Sequence, residues 1–150
     1  MGRLNLPAHG SYVYLDACIL IYTLDRILPY ADLLDPFWSQ VALGGLTCFT
    51  SELSLLETLV KPLQTADREL HHYYFDFLTN NDNLQLLPIT KAILIEAARL
   101  RASTNLKAPD AIHMATAMFY AADLILSNDT GWQRVAGAPL LLLDQALASP

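Results

Sequence analysis

The chain has 150 residues and a formal net charge of −6; hydrophobic residues make up 53% of it and charged residues only 16%. This length predicts one domain with a core of its own. The negative charge argues against a general affinity for nucleic acid, which requires a basic surface. With so few charged residues, we expect some apolar surface that a partner or a second copy of the chain covers.

The first half of the chain alternates short apolar runs with helical patterns, after a loose lead-in over residues 1–11. Pro29 is predicted to close the first helical region, Ser51 to cap a later helix, and Pro62 to stop that helix. The predicted elements are strand Tyr12–Leu15, helix Ala17–Leu24, helix Asp32–Leu43, strand Leu46–Thr50, helix Ser51–Lys61 and helix Asp67–Leu78.

The second half continues the alternation and ends in a tail over residues 145–150. Its predicted elements are strand Leu84–Ile89, helix Lys91–Ser103, helix Pro109–Ala122, strand Leu124–Leu126 and strand Leu140–Leu143. Strands that alternate with helices indicate a parallel sheet covered on both faces. We therefore expect a single α/β domain, a three-layer α/β/α sandwich around a mainly parallel sheet of about five strands.

Two cysteines, Cys18 and Cys48, lie in apolar surroundings and are expected to be reduced and buried. The apolar run Tyr12–Leu24 is too short to span a bilayer and contains Asp16. No secretory signal is visible, so we expect a cytoplasmic protein with no membrane partner.

Four carboxylates stand within or at the end of apolar stretches: Asp16, Glu57, Asp110 and Asp129. An ionised carboxylate is costly to bury unless a positive group compensates it, and a divalent cation such as Mg²⁺ or Mn²⁺ would do so. Asp16 directly follows the first strand, and Asp129 follows the fourth closely. Since ligands of parallel sheets bind beyond the carboxyl ends of the strands, both acids should lie at that edge.

Each acid taken alone also has a simpler explanation. Asp16 could cap the following helix, and Asp129 could be a turn residue. Asp110 stands in a first helical turn, where the helix dipole favours an acid, and Lys107 is near enough in sequence to pair with it. Glu57 could be a rim residue that reaches water.

Glu57 has the least ordinary surroundings of the four. On a helical wheel it lies between Leu53 and Val60, with Leu56 nearby. This pattern predicts a glutamate on an apolar helix face, which is uncommon without a partner.

The acids stand in four segments whose order resembles that of the PIN domain family, most closely the VapC-type toxin ribonucleases. The resemblance extends from about Tyr12 to Trp132. Its segments are Tyr14–Tyr22, Thr50–Glu57, Pro109–Ala117 and Leu126–Asp129, of which the third is the most distinctive.

The resemblance implies a PIN fold and a Mg²⁺- or Mn²⁺-dependent endoribonuclease, with Asp16, Glu57, Asp110 and Asp129 as the metal-binding and catalytic acids. The expected products are a 5′-phosphate and a 3′-hydroxyl. The family usually has Thr, Ser or Asn just after the first Asp, whereas this chain has Ala17 and Cys18 there. A supporting hydroxyl or amide is therefore expected to be missing, which should affect rate more than reaction type.

The resemblance also implies partners: an RNA substrate, a cognate antitoxin and a second copy of the chain in a homodimer. We expect an antitoxin arginine to enter the carboxylate pocket and compete with metal. Candidates for supporting the site or contacting substrate are Asn128, Thr130, Lys107 and Arg101, and further phosphate contacts could come from Lys61, Arg99 and Arg134. Tyr22 and Trp132 could stack on a base or belong to the core, and His113 is expected to be structural.

Two alternatives remain open from the residues. One is a non-catalytic PIN-like scaffold or binding module, which Cys18 in the supporting position favours. The other is a metal-dependent DNA nuclease or phosphatase, because contact with a ribose 2′-hydroxyl leaves no signature in one sequence.

Overall fold

The computed structural model describes residues 2–150 and contains one five-stranded sheet. Every neighbouring pair of strands is parallel, and the strand order is β3-β2-β1-β4-β5. The strands are β1 (Ser11–Leu15), β2 (Leu46–Ser51), β3 (Leu84–Leu87), β4 (Leu124–Ser127) and β5 (Leu140–Leu142). The predicted parallel sheet is confirmed.

Helices connect the strands and cover both faces of the sheet. They are α1 (Ala17–Leu24), α2 (Tyr30–Ala42), α3 (Leu53–Gln64), α4 (Arg68–Thr79), α5 (Lys91–Thr104), α6 (Ala108–Phe119) and α7 (Leu143–Ala148), with a 3₁₀ helix at Thr130–Arg134. Within residues 2–150 no helix combines the length and the apolar character needed to cross a membrane.

The side chains of β1 alternate between two separate cores, as expected for a sheet covered on both faces. Val13 and Leu15 pack into the core that contains Phe37 of α2. Tyr14 points the other way, into the core that contains Met114 of α6. The predicted three-layer α/β/α sandwich is confirmed.

Strands β2 and β3 are added to one side of β1, and β4 and β5 are added to the other side, so β1 stands at the centre of the sheet between β2 and β4. Such a switch point opens a crevice beyond the carboxyl ends of its two strands. Leu15 is in register with Leu126, and the backbone N–H of Asp16 donates to the carbonyl of Leu126 at 3.0 Å. The residues that follow β1 and β4 are therefore held next to each other.

Several predicted boundaries differ from the observed ones, and three of these differences change the interpretation of a residue or segment. Pro62 does not stop α3 but lies buried within it, where burial of its ring offsets the hydrogen bond that it cannot donate. Ser51 ends β2 and is not the N-cap, although its Oγ accepts from the N–H of Leu53 at 3.1 Å. The tail predicted from residue 145 is mostly helical, because α7 continues to Ala148.

The expected apolar face around Glu57 is also wrong. The buried residues of α3 are Ser54, Thr58 and Pro62, whereas Leu56 is 64% exposed and Val60 42% exposed. Small side chains let this face pack closely, and its hydroxyls are satisfied locally; that of Ser54, for example, pairs with Thr50 at 2.7 Å. Glu57 therefore stands at the rim of the packed face.

Candidate functional site

One cavity of about 530 Å³ opens at the carboxyl edge of β1 and β4, and all four predicted acids line it. They come from four different places in the fold: the end of β1, the middle of α3, the first turn of α6 and the loop after β4. The lining residues are Asp16, Ala17, Cys18, Ile21, Tyr22, Glu57, Asp110, Asn128, Asp129 and Thr130. The convergence expected from the sequence is therefore present.

Asp16 is the most buried of the four acids. Its Oδ1 accepts from the N–H of Ala17 at 2.7 Å, so it caps α1 as its simpler explanation predicts. Its Oδ2 accepts from the hydroxyl of Ser127, also at 2.7 Å. Burial raises the pKa of this carboxyl above its usual value, although His113 and the Ser127 hydroxyl act in the opposite direction. A cation in the cavity would relieve the cost of this buried charge.

Glu57 projects from α3 towards His113 of α6, and its side chain is 31% exposed. Its Oε1 accepts a hydrogen bond from Nε2 of His113. The other ring nitrogen, Nδ1, lies 2.5 Å from the hydroxyl of Tyr14. A buried histidine thus connects this acid to the protein core.

Asp110 stands in the first turn of α6, where the helix dipole stabilises its negative charge. Its Oδ1 accepts from the indole Nε1–H of Trp132 at 3.2 Å. Trp132 is fully buried, so the core role is the correct interpretation of this residue. The pair between Asp110 and Lys107 that the simpler explanation allowed does not form, because the ion pairs among residues 2–150 involve other side chains.

Asp129 occupies the loop between β4 and the 3₁₀ helix. Its Oδ1 accepts from the N–H of Gly131 at 2.8 Å, and its own N–H donates to Oγ of Ser127 at 3.1 Å. It is therefore a turn residue and a cavity residue at once.

The four acids are gathered but not closed around a common point. In the part of the chain that the structure describes, no three His, Cys, Asp or Glu side chains stand near enough to one another to hold a metal ion. The donor set is nevertheless all carboxylate oxygen, which suits Mg²⁺ or Mn²⁺. Because Mg²⁺ keeps several of its waters, it does not need three direct protein ligands. The chemistry of the residues fits the ion that the sequence predicts.

The remaining predicted site residues divide into two groups. Asn128 and Thr130 line the cavity, whereas Lys107 and Arg101 do not. The amide of Asn128 is engaged twice, as donor to the hydroxyl of Tyr22 at 3.3 Å and as acceptor from the N–H of Asp144 at 2.9 Å. Nε–H of Arg101 donates to the carbonyl of Leu106 at 3.0 Å.

Two contacts at the site were not anticipated from the sequence. His113 was expected to be merely structural, and Ser127 was not singled out, yet each donates a hydrogen bond to one of the acids. The available signals were positional: His113 follows Asp110 by three residues on one helix, and Ser127 is the last residue of β4. Cys18 offers only a long contact, with Sγ 3.5 Å from Oδ2 of Asp16.

The fold is shared with several solved structures. One is the structure of VapBC2 from Rickettsia felis bound to a fragment of promoter DNA. It is 14% identical, with a TM-score of 0.68, and the match covers 87% of this chain and 98% of that one. A toxin–antitoxin complex from Klebsiella pneumoniae is 21% identical, with a TM-score of 0.62 and coverage of 86% and 95%. FitAcB from Neisseria gonorrhoeae is 13% identical, with a TM-score of 0.65 and coverage of 86% and 96%.

At the level of sequence, no curated protein matches this chain. A family model described as the PIN domain does match, over residues 13–138. That match begins within β1 and extends beyond β4, and it includes all ten residues that line the cavity, among them the four acids. The chain therefore belongs to the PIN domain family, a family of nucleases.

Proposed function

We propose that the protein is a metal-dependent endoribonuclease, and that Asp16, Glu57, Asp110 and Asp129 form its active site. The observation that supports this most directly is that four acids from four separate elements line one cavity at the switch point of the sheet. Carboxylates repel one another and gain nothing from being gathered unless a cation joins them. Membership in a nuclease family supplies the reaction class.

The chain's own residues would hold the ion and orient it. Asp16, whose two oxygens are fixed by Ala17 and Ser127, is the most rigid of the four acids. Asp110 and Asp129 each direct one oxygen to a protein donor, and no described residue donates to the other. When bound, Mg²⁺ would shield the phosphate charge and lower the pKa of a water. Hydrolysis would then leave a 5′-phosphate and a 3′-hydroxyl.

Electrostatics at the cavity makes RNA binding dependent on the ion. The acids would repel a phosphate, and neither Arg101 nor Lys107 lines the cavity to offset them. We therefore expect the metal-free protein to bind RNA poorly, and Mg²⁺ or Mn²⁺ to strengthen that binding. Arg101 and Lys107 remain candidates for phosphates farther along the strand.

The direct test is cleavage of RNA by the full chain with Mg²⁺, with Mn²⁺ and with EDTA. Asp16→Asn and Asp110→Asn should each lower the cleavage rate at least about 100-fold, because loss even of groups that support a metal ligand costs 10–100-fold. Asp82→Asn is the matched control, since Asp82 is an exposed acid before β3, at the opposite edge of the sheet. Activity that persists in EDTA and in both cavity variants would rule the mechanism out.

Two further arms separate the alternatives. Binding of Mn²⁺ without cleavage of RNA or DNA would indicate the non-catalytic scaffold. Cleavage of DNA but not of RNA with the same base sequence would indicate a DNA nuclease. Identifying the ends of the products, as 5′-phosphate and 3′-hydroxyl, tests the direction of attack.

The proposal includes an antitoxin and a homodimer. The similar structures named above include a toxin–antitoxin complex from Klebsiella pneumoniae, and the acidic cavity suits an arginine from a basic partner segment. Large apolar side chains stand exposed on the helices: Leu56, Leu63, Tyr73, Leu94, Ile95, Met118 and Phe119. Light scattering should give a dimeric mass. A co-purified antitoxin should weaken Mn²⁺ binding, and unchanged affinity would contradict the competing arginine.

A further inference from the structure

His113 stands in a continuous path of hydrogen bonds from the core to the cavity. The residue is 1% exposed and lies one turn after Asp110 on α6. Its Nδ1 lies 2.5 Å from the hydroxyl of Tyr14, and its Nε2 contacts Oε1 of Glu57. The same Nε2 is 3.8 Å from Oδ1 of Asp16. One ring nitrogen thus faces two of the four acids.

The partners of the ring determine which nitrogen holds the proton. An ionised carboxylate can only accept, so Nε2 must be the donor to Glu57. In the neutral ring Nδ1 then accepts, and the O–H of Tyr14 is placed to donate to it. The hydroxyl of Tyr14 is fully buried, and Nδ1 of His113 lies within hydrogen-bond distance of it. Tyr14 therefore selects the tautomer that presents an N–H to the cavity.

Packing also fixes the plane of the ring. The ring of Tyr14 meets it edge-on, with centroids 5.8 Å apart and an interplanar angle of 67°. Trp132 lies against it at 5.7 Å with an angle of 31°. Both aromatic residues are fully buried, so the imidazole has little freedom to turn. The N–H that Glu57 meets is accordingly at a fixed position.

We propose that His113 is the positioning residue of the metal site, and that it aims the carboxylate of Glu57 by holding one oxygen and leaving the other for the ion. A glutamate at the rim of a helix loses side-chain entropy when it binds an ion, and a fixed donor lowers that cost in advance. The inference rests on the proposed function, which it deepens by assigning a role to a residue that does not touch the ion.

A different role for His113 would be direct ligation through Nε2. The geometry disfavours it, because Nε2 already donates to Glu57 and the ring is buried behind that carboxylate. The two roles predict opposite fates for the Nε2 proton. A metal ligand must lose it, whereas a positioning residue keeps it.

The test is Mn²⁺ binding to the full chain without RNA, measured by electron paramagnetic resonance of the free ion. His113→Gln places an amide N–H near the position of Nε2, and His113→Asn places its amide near Nδ1 instead. We expect His113→Asn to weaken Mn²⁺ binding about 10-fold, the scale of lost support to a ligand, and His113→Gln to weaken it less. In a Glu57→Gln background, His113→Asn should change the affinity no further.

A second measurement needs no variant. In the ¹⁵N-labelled protein, the spectrum of the His113 ring should show a proton on Nε2, and addition of Mg²⁺ should leave that proton in place. Loss of the Nε2 proton on addition of Mg²⁺ would make His113 a ligand and overturn the inference. Thermal unfolding in EDTA shows whether each variant folds. If His113→Asn does not fold, Mn²⁺ binding by His113→Gln and the ¹⁵N spectrum of the unsubstituted protein test the inference.

The outcomes distinguish this inference from the function on which it rests. If the unsubstituted protein binds no Mn²⁺, the metal-dependent function fails and the inference fails with it. If it binds Mn²⁺ and His113→Asn binds equally well, only the inference fails. Equal weakening by His113→Asn with and without Glu57 would also overturn it, because His113 would then act through another group.

Discussion

The hydroxyl of Ser127 donates a hydrogen bond to Oδ2 of Asp16 across 2.7 Å, between residues 111 positions apart in the chain. The same Oγ accepts from the backbone N–H of Asp129 at 3.1 Å. Ser127 therefore joins the acids that follow β1 and β4. It also offers Asp16 the hydroxyl that neither Ala17 nor Cys18 supplies.

Ser127→Ala should weaken both metal binding and folding. The substitution removes a donor from a buried carboxylate and leaves the N–H of Asp129 without its acceptor. We expect unfolding to become easier by about 1–3 kcal/mol, and Mn²⁺ affinity to fall about 10-fold. Urea unfolding in EDTA and Mn²⁺ titration measure the two effects separately.

Ser54→Ala is the matched control for Ser127→Ala. Ser54 is also a fully buried serine, but its hydroxyl pairs with Thr50 instead of a carboxylate. Ser54→Ala should lower the free energy of unfolding about as much as Ser127→Ala does, while the Mn²⁺ affinity stays unchanged. An equal loss of affinity in both variants would mean that Ser127 acts only through stability.

Asp16→Asn should make the metal-free protein more stable at neutral pH while it abolishes cleavage. Burial raises the pKa of Asp16, which means that the folded state disfavours the ionised carboxylate when no cation compensates it. Replacing the charge with a neutral amide of the same shape removes that cost. Urea unfolding in EDTA at pH 7.5 should therefore show a higher midpoint for Asp16→Asn than for the unsubstituted protein.

The gain in stability that Asp16→Asn gives the metal-free protein should become smaller as the pH is lowered. Because the folded pKa lies above the usual value of 3.8, the folded protein binds this proton more tightly than the unfolded chain does. The raised pKa of Asp16 makes its full contribution to the free energy of unfolding below pH 3.8, and this contribution is lost as the pH rises through the folded pKa. The difference between the two proteins should shrink on acidification, and a difference that grows would contradict the pKa shift.

Trp132→Phe tests the contact that orients Asp110. The substitution removes the Nε1–H that donates to Oδ1 of Asp110 at 3.2 Å. Trp38→Phe is the control, because Nε1–H of Trp38 donates to the hydroxyl of Thr23 at 2.9 Å, and neither residue lines the cavity. We expect about a 10-fold loss of RNA cleavage by Trp132→Phe relative to Trp38→Phe. Equal rates would show that Asp110 needs no indole donor.

The sheet and the site acids at its edge were accessible to sequence analysis for a physical reason. A buried parallel strand is a short apolar run, and the polar residue that ends it marks the carboxyl edge where ligands bind. Asp16 and Asp129 follow directly from this rule. Glu57 was identified correctly as a cavity residue, but on a wrong premise, since Leu56 and Val60 are exposed and the packed face of α3 is polar.

The supporting contacts could not be predicted because they join residues that only the folded chain brings together. His113 appears in sequence as one polar residue in an apolar helix, and its partners Tyr14 and Glu57 stand 99 and 56 positions away. The wheel argument treats each helix separately, so it contains no information on which nitrogen of His113 faces which element. The same holds for Ser127 and Asp16.

Cys18→Ser should strengthen the site, because it restores the hydroxyl that the family usually has near this position. Sγ of Cys18 lies 3.5 Å from Oδ2 of Asp16, and burial raises the pKa of the thiol well above its usual range, so it remains a weak neutral donor. A hydroxyl is a stronger donor than a thiol, and we expect Mn²⁺ affinity to rise about 3-fold, the scale of a modest gain in hydrogen bonding. Cys18→Ala is the matched control and should give no gain; Mn²⁺ titration of the three proteins decides the point. An affinity in Cys18→Ser no higher than in Cys18→Ala would show that the Ser127 hydroxyl already provides the support that Asp16 needs.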